Sequence, residues 1–235
     1  LSSLELGSSL CRCEREIEEE EMEDDALDRD ARIKLSIGTN QQGHADGVFN
    51  TPVGLVFDHH RGLLLVVDKE NHRVQVFSCD DDDGGSFVSK LGEDGFQPGQ
   101  LKHPWGLAID HDHDRFFIVD SFNHRVQSWS LSERSFLSCI GHHGSGDLEF
   151  SNPHGIAIDK HHRRIVIVDT YNHRLVFLSS IDLSFLFSVG EHGSGPGEFN
   201  HPSSIAIDDD RHRIIVSDTF NHRVQVLSSI DGSFL

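Results

Sequence analysis

The sequence predicts an all-β fold, a β-propeller of four-stranded blades. Three observations carry that expectation. Pro52, Pro104, Pro153 and Pro202 recur at spacings of 52, 49 and 49 residues. Each proline opens the same succession of short apolar runs separated by polar turns. The runs are rich in Val, Ile, Phe and Leu and too short for helices. A four-strand unit repeating at about 50 residues is the mark of a propeller, in which stacked sheets bury faces that one sheet alone leaves bare.

The elements follow in order. The first run after each proline ends in Asp: VGLVFD (53–58), WGLAID (105–110), HGIAID (154–159) and SSIAID (203–208). A polar turn leads to a second run ending in Asp: LLLVVD (63–68), RFFIVD (115–120), RIVIVD (164–169) and RIIVSD (213–218). Both runs are apolar on both faces, which suits burial between neighbouring sheets. Asn-His-Arg then occupies 71–73, 123–125, 172–174 and 221–223, and the strands RVQVF (73–77), RVQSW (125–129), RLVFL (174–178) and RVQVL (223–227) follow. Their alternation suits a strand nearer solvent. A last strand ends at glycine in SFVSKLG (86–92), SFLSCIG (135–141) and SFLFSVG (184–190). The repeat units therefore run over about 52–92, 104–141, 153–190 and 202–235, and RIKLSIG (32–38) reads as a copy of the last strand, an outer strand at 33–38.

Residues 1–32 form an acidic lead-in, helical or disordered, with no apolar stripe wide enough to pack; the propeller is expected over 33–235. Cys11 and Cys13 are a lone C-x-C, short of the four ligands of a structural zinc site. The whole chain of 235 residues carries a formal charge of −19, and residues 1–33 account for 12 of its 39 acids and 4 of its 20 bases. An acidic surface repels phosphate backbones, which disfavours nucleic acid and leaves a protein or peptide as the expected partner. No apolar run reaches the roughly 18 residues of a membrane helix, so no membrane association is expected. Four cysteines are too few for a disulfide framework, and a cytoplasmic location is expected.

The pattern G-x-F-x-x-P-x-G-I-A-x-D followed by I-x-V-x-D-x-x-N-H-R resembles the NHL repeat. The third unit shows it as Glu149-Phe150-Ser151-Asn152-Pro153-His154-Gly155-Ile156-Ala157-Ile158-Asp159, then Ile165–Asp169 and Asn172-His173-Arg174. The resemblance covers about 33–235. It implies a propeller, usually of six blades, whereas four repeats are present. Two solutions follow: an open arc of a larger ring, favoured by the Leu start and the stop within a strand, or a closed four-bladed form with 33–37 as the missing outer strand. The resemblance further implies a substrate-selecting role in ubiquitin-ligase-type proteins. More distantly it implies a peptidyl amidating lyase with a channel zinc, or an RNA-binding propeller.

Four groups of residues could carry chemistry. Asp68 and Arg73, Asp120 and Arg125, Asp169 and Arg174, and Asp218 and Arg223 are each five residues apart across a turn. They are expected to be structural pairs, with Asn supplying the special backbone angles of the turn. The first turns are rich in His, at His59-His60, His111 and His113, His161-His162, and His212. Imidazole and carboxylate suit transition metals, but adjacent His point apart and successive blades are expected to hold these tips far from one another, so no metal site is assigned. The glycine-rich connectors, such as Gly190-x-x-Gly193-Ser194-Gly195-x-Gly197, lack a following helix and are blade crossovers. The residues flanking the anchor prolines, His103, Trp105, Asn152, His154, His201 and Ser203, are expected to converge on the channel mouth and bind the partner. Only His154 matches the lyase ligand motif, because Val53, Trp105 and Ser203 replace it in the other units. No catalytic residue and no cofactor is assigned.

Overall fold

The computed structural model describes residues 36–79 and 85–235. Blade 1 comprises β1 (Pro52–Asp58), β2 (Leu63–Asp68), β3 (Arg73–Ser78) and β4 (Ser86–Leu91). Blade 2 comprises β5 (Leu107–Asp110), β6 (Arg115–Asp120), β7 (Arg125–Ser130) and β8 (Phe136–Ile140). A short parallel pair, β9 (His142–His143) with β10 (Glu149–Phe150), closes the next connector on itself. Blade 3 comprises β11 (Ile156–Asp159), β12 (Arg164–Asp169), β13 (Arg174–Ser179) and β14 (Phe185–Val189). Blade 4 comprises β15 (Pro202–Asp208), β16 (Arg213–Asp218) and β17 (Arg223–Ser228), with a bridge from Leu227 to Phe234 at the fourth position. Within each blade the strands pair antiparallel in chain order, so the described residues form a four-bladed β-propeller.

Apolar side chains on facing blades make the core. Leu65, Val67, Val74 and Val76 of blade 1 meet Leu107, Ile109, Phe116 and Ile118 of blade 2. Equivalent clusters join blades 2 and 3 through Phe117, Val119, Ile165 and Ile167, and blades 3 and 4 through Val168, Phe177, Ile214 and Val216. Each such side chain contributes about 1.5–3 kcal/mol when fully buried. Among the described residues no cluster spans the seam between blades 4 and 1. Val224 there is 63% exposed, against 0% for its counterpart Val74, and Leu55 is 69% exposed, against 8% for Leu107.

The inner strands approach so closely that a side chain cannot stand between them. A Cβ on Gly106 would lie 2.4 Å from the carbonyl oxygen of His154 in the next blade. At the blade-2 exit Gly141 has φ +100°, and a Cβ there would meet the Phe150 ring at 2.5 Å. In blade 4 the residue equivalent to Gly106 is Ser204, which is exposed.

One expectation needs correction. The third strands are not solvent-facing: β3 and β7 are buried throughout save Ser78, and their polar alternation arises because Gln75 and Gln127 are buried hydrogen-bonding groups. Of the outer strand expected at 33–38, residues 33–35 lie outside the described residues, as do the lead-in and its C-x-C, and the described residues 36–38 form no strand. Phe234 bridges Leu227 at the outer position of blade 4. No helix among the described residues is long and apolar enough to cross a membrane.

Candidate binding face

The strand register sorts the repeated residues onto two edges. Pro52 pairs with Asp68 and Pro202 with Asp218, so the anchor prolines and the Asn-His-Arg turns share one edge. Asp58 pairs with Leu63, which puts the His-rich first turns at the other.

On the first edge each blade is built around one buried carboxylate. Asp120 Oδ2 accepts from Asn123 Nδ2 (2.9 Å), Arg125 Nε (2.7 Å) and Gln127 Nε2 (2.9 Å), and Oδ1 accepts from the Lys102 amide (2.6 Å). The Arg125 guanidinium also donates to the carbonyls of Phe96, Gln97 and Gln100 (3.0, 2.9 and 2.8 Å), tying the incoming connector to the sheet. The pairs Asp68–Arg73, Asp169–Arg174 and Asp218–Arg223 repeat the contact at 2.8, 2.9 and 2.8 Å. Blade 3 differs: Val176 stands where the other blades have Gln, and burial pushes the Asp169 carboxyl above the usual range despite its donors. Asp218 is also penalised by burial, but the donors from Asn200, Asn221 and Arg223 outweigh it and its carboxyl is lowered.

The turn chemistry departs from expectation in one respect. The left-handed residue is the His, at φ 53° for His72 and His124, 56° for His173 and 53° for His222, not the Asn. Asn is needed elsewhere, because its Nδ2 bridges the Asp to a connector carbonyl, as in Asn123 to Gly95 (2.9 Å). Placed so, His72, His124 and His173 each accept at Nδ1 the backbone N–H of the residue before the next blade's proline: His103, Asn152 and His201, at 3.1 Å each. Burial lowers the pKa of all three imidazoles, which keeps that acceptor lone pair available. His222 in the last blade is exposed.

The six candidate binding residues divide between two places. Trp105 and Ser203 line a channel cavity of about 300 Å³, together with Val53, Ile156 and Ile205 from the other inner strands. His154 stacks on Trp105 with ring centroids 4.0 Å apart and planes at 6°, and Lys69 Nζ lies 4.7 Å from the Trp105 ring centroid. Burial, with the charges of Lys69 and His201 adding, pushes the His154 imidazole down to about 4, so it is neutral at ordinary pH. The Ser203 hydroxyl meets those of Ser217 (3.0 Å) and Thr219 (2.7 Å). His103, Asn152 and His201 lie instead over blade boundaries. His103 packs against His72 and Phe122, and His201 against His173, Tyr171 and Phe220.

Those last contacts expose residues that sequence reasoning passed over. The position just before the Asn of each turn holds Glu70, Phe122, Tyr171 and Phe220. The three aromatics are 48%, 52% and 61% exposed on the anchor-proline edge. Their signal in the sequence was an aromatic recurring in three units at a polar turn.

The His-rich tips of the opposite edge also correct an expectation. They are not held apart. His111 of blade 2 lies 5.1 Å from His59 and 4.2 Å from His60 of blade 1, and His212 of blade 4 lies 4.5 Å from His161 of blade 3, between ring centroids. Neighbouring sheets packed face to face bring equivalent turns together. Of the arginines near these tips, Arg61, Arg164 and Arg211 are ion-paired with Asp58, Asp159 and Asp208, which removes much of a basic patch for nucleic acid.

Comparison with known proteins agrees with this architecture. A family model described as a 6-bladed beta-propeller matches residues 158–235, and the NHL repeat matches 49–77 and 101–128. NHL repeat-containing protein 2 of Homo sapiens is 26% identical over 123 residues, 45% of this chain and 17% of that protein. The Bos taurus protein is 26% identical over 124 residues, 46% and 17% respectively. The match thus spans 17% of the length of these relatives. Among solved structures, Kuenenia stuttgartiensis hydrazine synthase superposes with a TM-score of 0.61 at 11% identity, covering 86% of this chain and 51% of that one. A chain of a nidogen/laminin complex superposes at 0.52 and 16% identity, covering 78% and 66%. The chain thus carries NHL repeats at 49–77 and 101–128 within a β-propeller, and it is similar in sequence to NHL repeat-containing proteins.

Proposed function

We propose that this chain is a non-catalytic scaffold that binds a protein or peptide partner on its anchor-proline edge. The observation that carries the reading is the set of exposed aromatics, Phe122, Tyr171 and Phe220, held at equivalent positions of three blades on the edge that also carries Trp105, stacked on His154. Rigid aromatics with adjoining polar groups are the residues that anchor protein interfaces. The acidic chain and the ion-paired arginines weigh against an RNA ligand. That a propeller of similar fold occurs in a nidogen/laminin complex is in keeping with a partner-binding role. The finer role, selecting substrates for a ubiquitin-ligase-type protein, rests on the family resemblance.

The test is an affinity capture from cells with the wild-type chain and with Trp105→Ala and Phe220→Ser variants. A partner retained by the wild type and lost by both variants, at unchanged melting temperature, supports the reading. Capture that is indifferent to both variants, or salt-sensitive binding of single-stranded RNA in its place, overturns it. Ubiquitin conjugation of the captured partner that falls with the same variants would support the finer role.

A further inference from the structure

The edge opposite the proposed binding face carries two clusters of potential metal ligands among the described residues: Asp58, His60 and His111, and His161, His162 and His212. They differ in what their ligand atoms already do. Asp58 accepts from the His60 amide (3.0 Å), from Arg61 (3.1 Å) and from His111 Nε2 (3.0 Å), and Arg61 also pairs with Asp114 at 2.7 Å. A cation entering there would displace bonds the carboxylate has made and sit beside a guanidinium.

The second cluster has the opposite character. His161 and His162 lie on the turn between β11 and β12, and His212 on the turn between β15 and β16. Their ring centroids are 4.5 Å (His161–His212), 4.8 Å (His161–His162) and 5.8 Å (His162–His212) apart, and one nitrogen from each lies within 4.8 Å of the other two. The Nδ1 atom of His162 is 3.0 Å from both oxygens of Asp159, a buried carboxylate that also accepts from Arg164 at 2.8 Å. A carboxylate accepting a hydrogen bond from Nδ1–H leaves the Nε2 lone pair free and orients the ring, which is how metal-bound histidines are commonly held. His212 Nδ1 is buried without a hydrogen-bond partner. A buried, unpartnered polar atom costs stability unless something fills its bond.

We propose that His161, His162 and His212 form a three-imidazole site for a zinc-class divalent cation, bridging blades 3 and 4. Imidazole suits Zn²⁺, and three protein nitrogens leave the fourth tetrahedral position to water or a further ligand. The ligands come from turns about 50 residues apart in sequence, so the bound cation cross-links two blades. It therefore stabilises the native state by mass action, since the unfolded chain does not hold the three rings together.

The test uses the full chain, freed of metal and titrated with Zn²⁺. Melting temperature reads stability, and Co²⁺ in place of Zn²⁺ reads the coordination by visible absorption. Expected are one tight equivalent and a melting temperature that rises with Zn²⁺. His161→Ala and His212→Asn should each weaken binding by about tenfold or more and remove the rise. His161 is exposed, so its loss does not threaten folding, and Asn tolerates the φ of 52° at position 212. His60→Ala, in the other cluster, should leave both readouts unchanged. No rise in the wild type, a rise that survives in His161→Ala and His212→Asn, or a rise lost with His60→Ala would overturn the assignment.

Discussion

The Nδ1 atom of His124 accepts a hydrogen bond from the backbone N–H of Asn152 across the boundary between blades 2 and 3, at 3.1 Å. The contact recurs one blade earlier and one blade later. The histidine of the Asn-His-Arg turn is thus a fastener between blades, and a neutral imidazole is the form that can accept.

Replacing His124 with Ala leaves the Asn152 amide without its partner. The expected cost is about 1–3 kcal/mol, because an unsatisfied buried donor loses more than the net value of one hydrogen bond. Urea denaturation measures it, and an unchanged midpoint would contradict the fastener role.

Arg125→Ala should cost more. Asp120 is fully buried, and removing its guanidinium strands a carboxylate and frees three connector carbonyls. The loss expected for breaking such a pair is about 3–5 kcal/mol. Arg125→Lys should rescue little, since an ammonium lacks the planar fork that serves Asp120 and three carbonyls together. A Lys variant as stable as the wild type would count against this account.

Gln127→Val is a milder change. Val176 shows that the position accepts Val in blade 3. In blade 2 the substitution removes donations to Asp120 (2.9 Å) and Gln100 (2.6 Å) and the bond accepted from the Gly99 amide (3.1 Å). A loss of about 1–3 kcal/mol is expected, read as a lower denaturation midpoint with the same slope.

Acid should loosen the propeller through its buried histidines. Burial depresses the imidazole pKa of His72, His124, His173 and, to about 4, of His154. A depressed folded-state value means the unfolded chain takes up the proton more readily. The contribution is therefore complete above the unfolded value near 6.5 and is lost as pH falls from there towards about 4. For His154 the lost contribution is about 3 kcal/mol. Melting temperature followed from pH 7.5 to 4.5 should fall, and His154→Gln should flatten part of that slope; a flat wild-type profile would refute it.

The seam residues make a separate forecast. Leu55 and Val224 are exposed where their counterparts in packed blades are buried. Leu55→Glu should leave the unfolding free energy within about 0.5 kcal/mol of the wild type and reduce self-association measured by light scattering. A loss of about 2 kcal/mol or more would instead show that Leu55 is packed in solution.

Much of this was legible beforehand, and particular residues show why. The period of 49–52 residues marked the blades. The five-residue step from Asp120 to Arg125 spans a tight turn whose ends must meet, so pairing there needs no knowledge of the rest of the fold. The close approach of Gly54, Gly106 and Gly155 to the following inner strand was not legible, since it depends on how neighbouring blades pack. Gln127 was hard as well. A polar residue in an alternating strand signals solvent unless a buried carboxylate waits beside it, and Asp120 is seven residues away.

Sequence alone therefore determined the strands, the turns and the Asp–Arg pairs, because all of them are set by contacts within a few residues. The tertiary structure decided which edges of different blades meet. It stacked His154 on Trp105, aligned Phe122, Tyr171 and Phe220 on one edge, and brought His212 to His161 and His162. Such contacts depend on the angle and distance at which whole sheets pack, and burial of apolar faces sets these without leaving a mark on the spacing of the polar residues carried along.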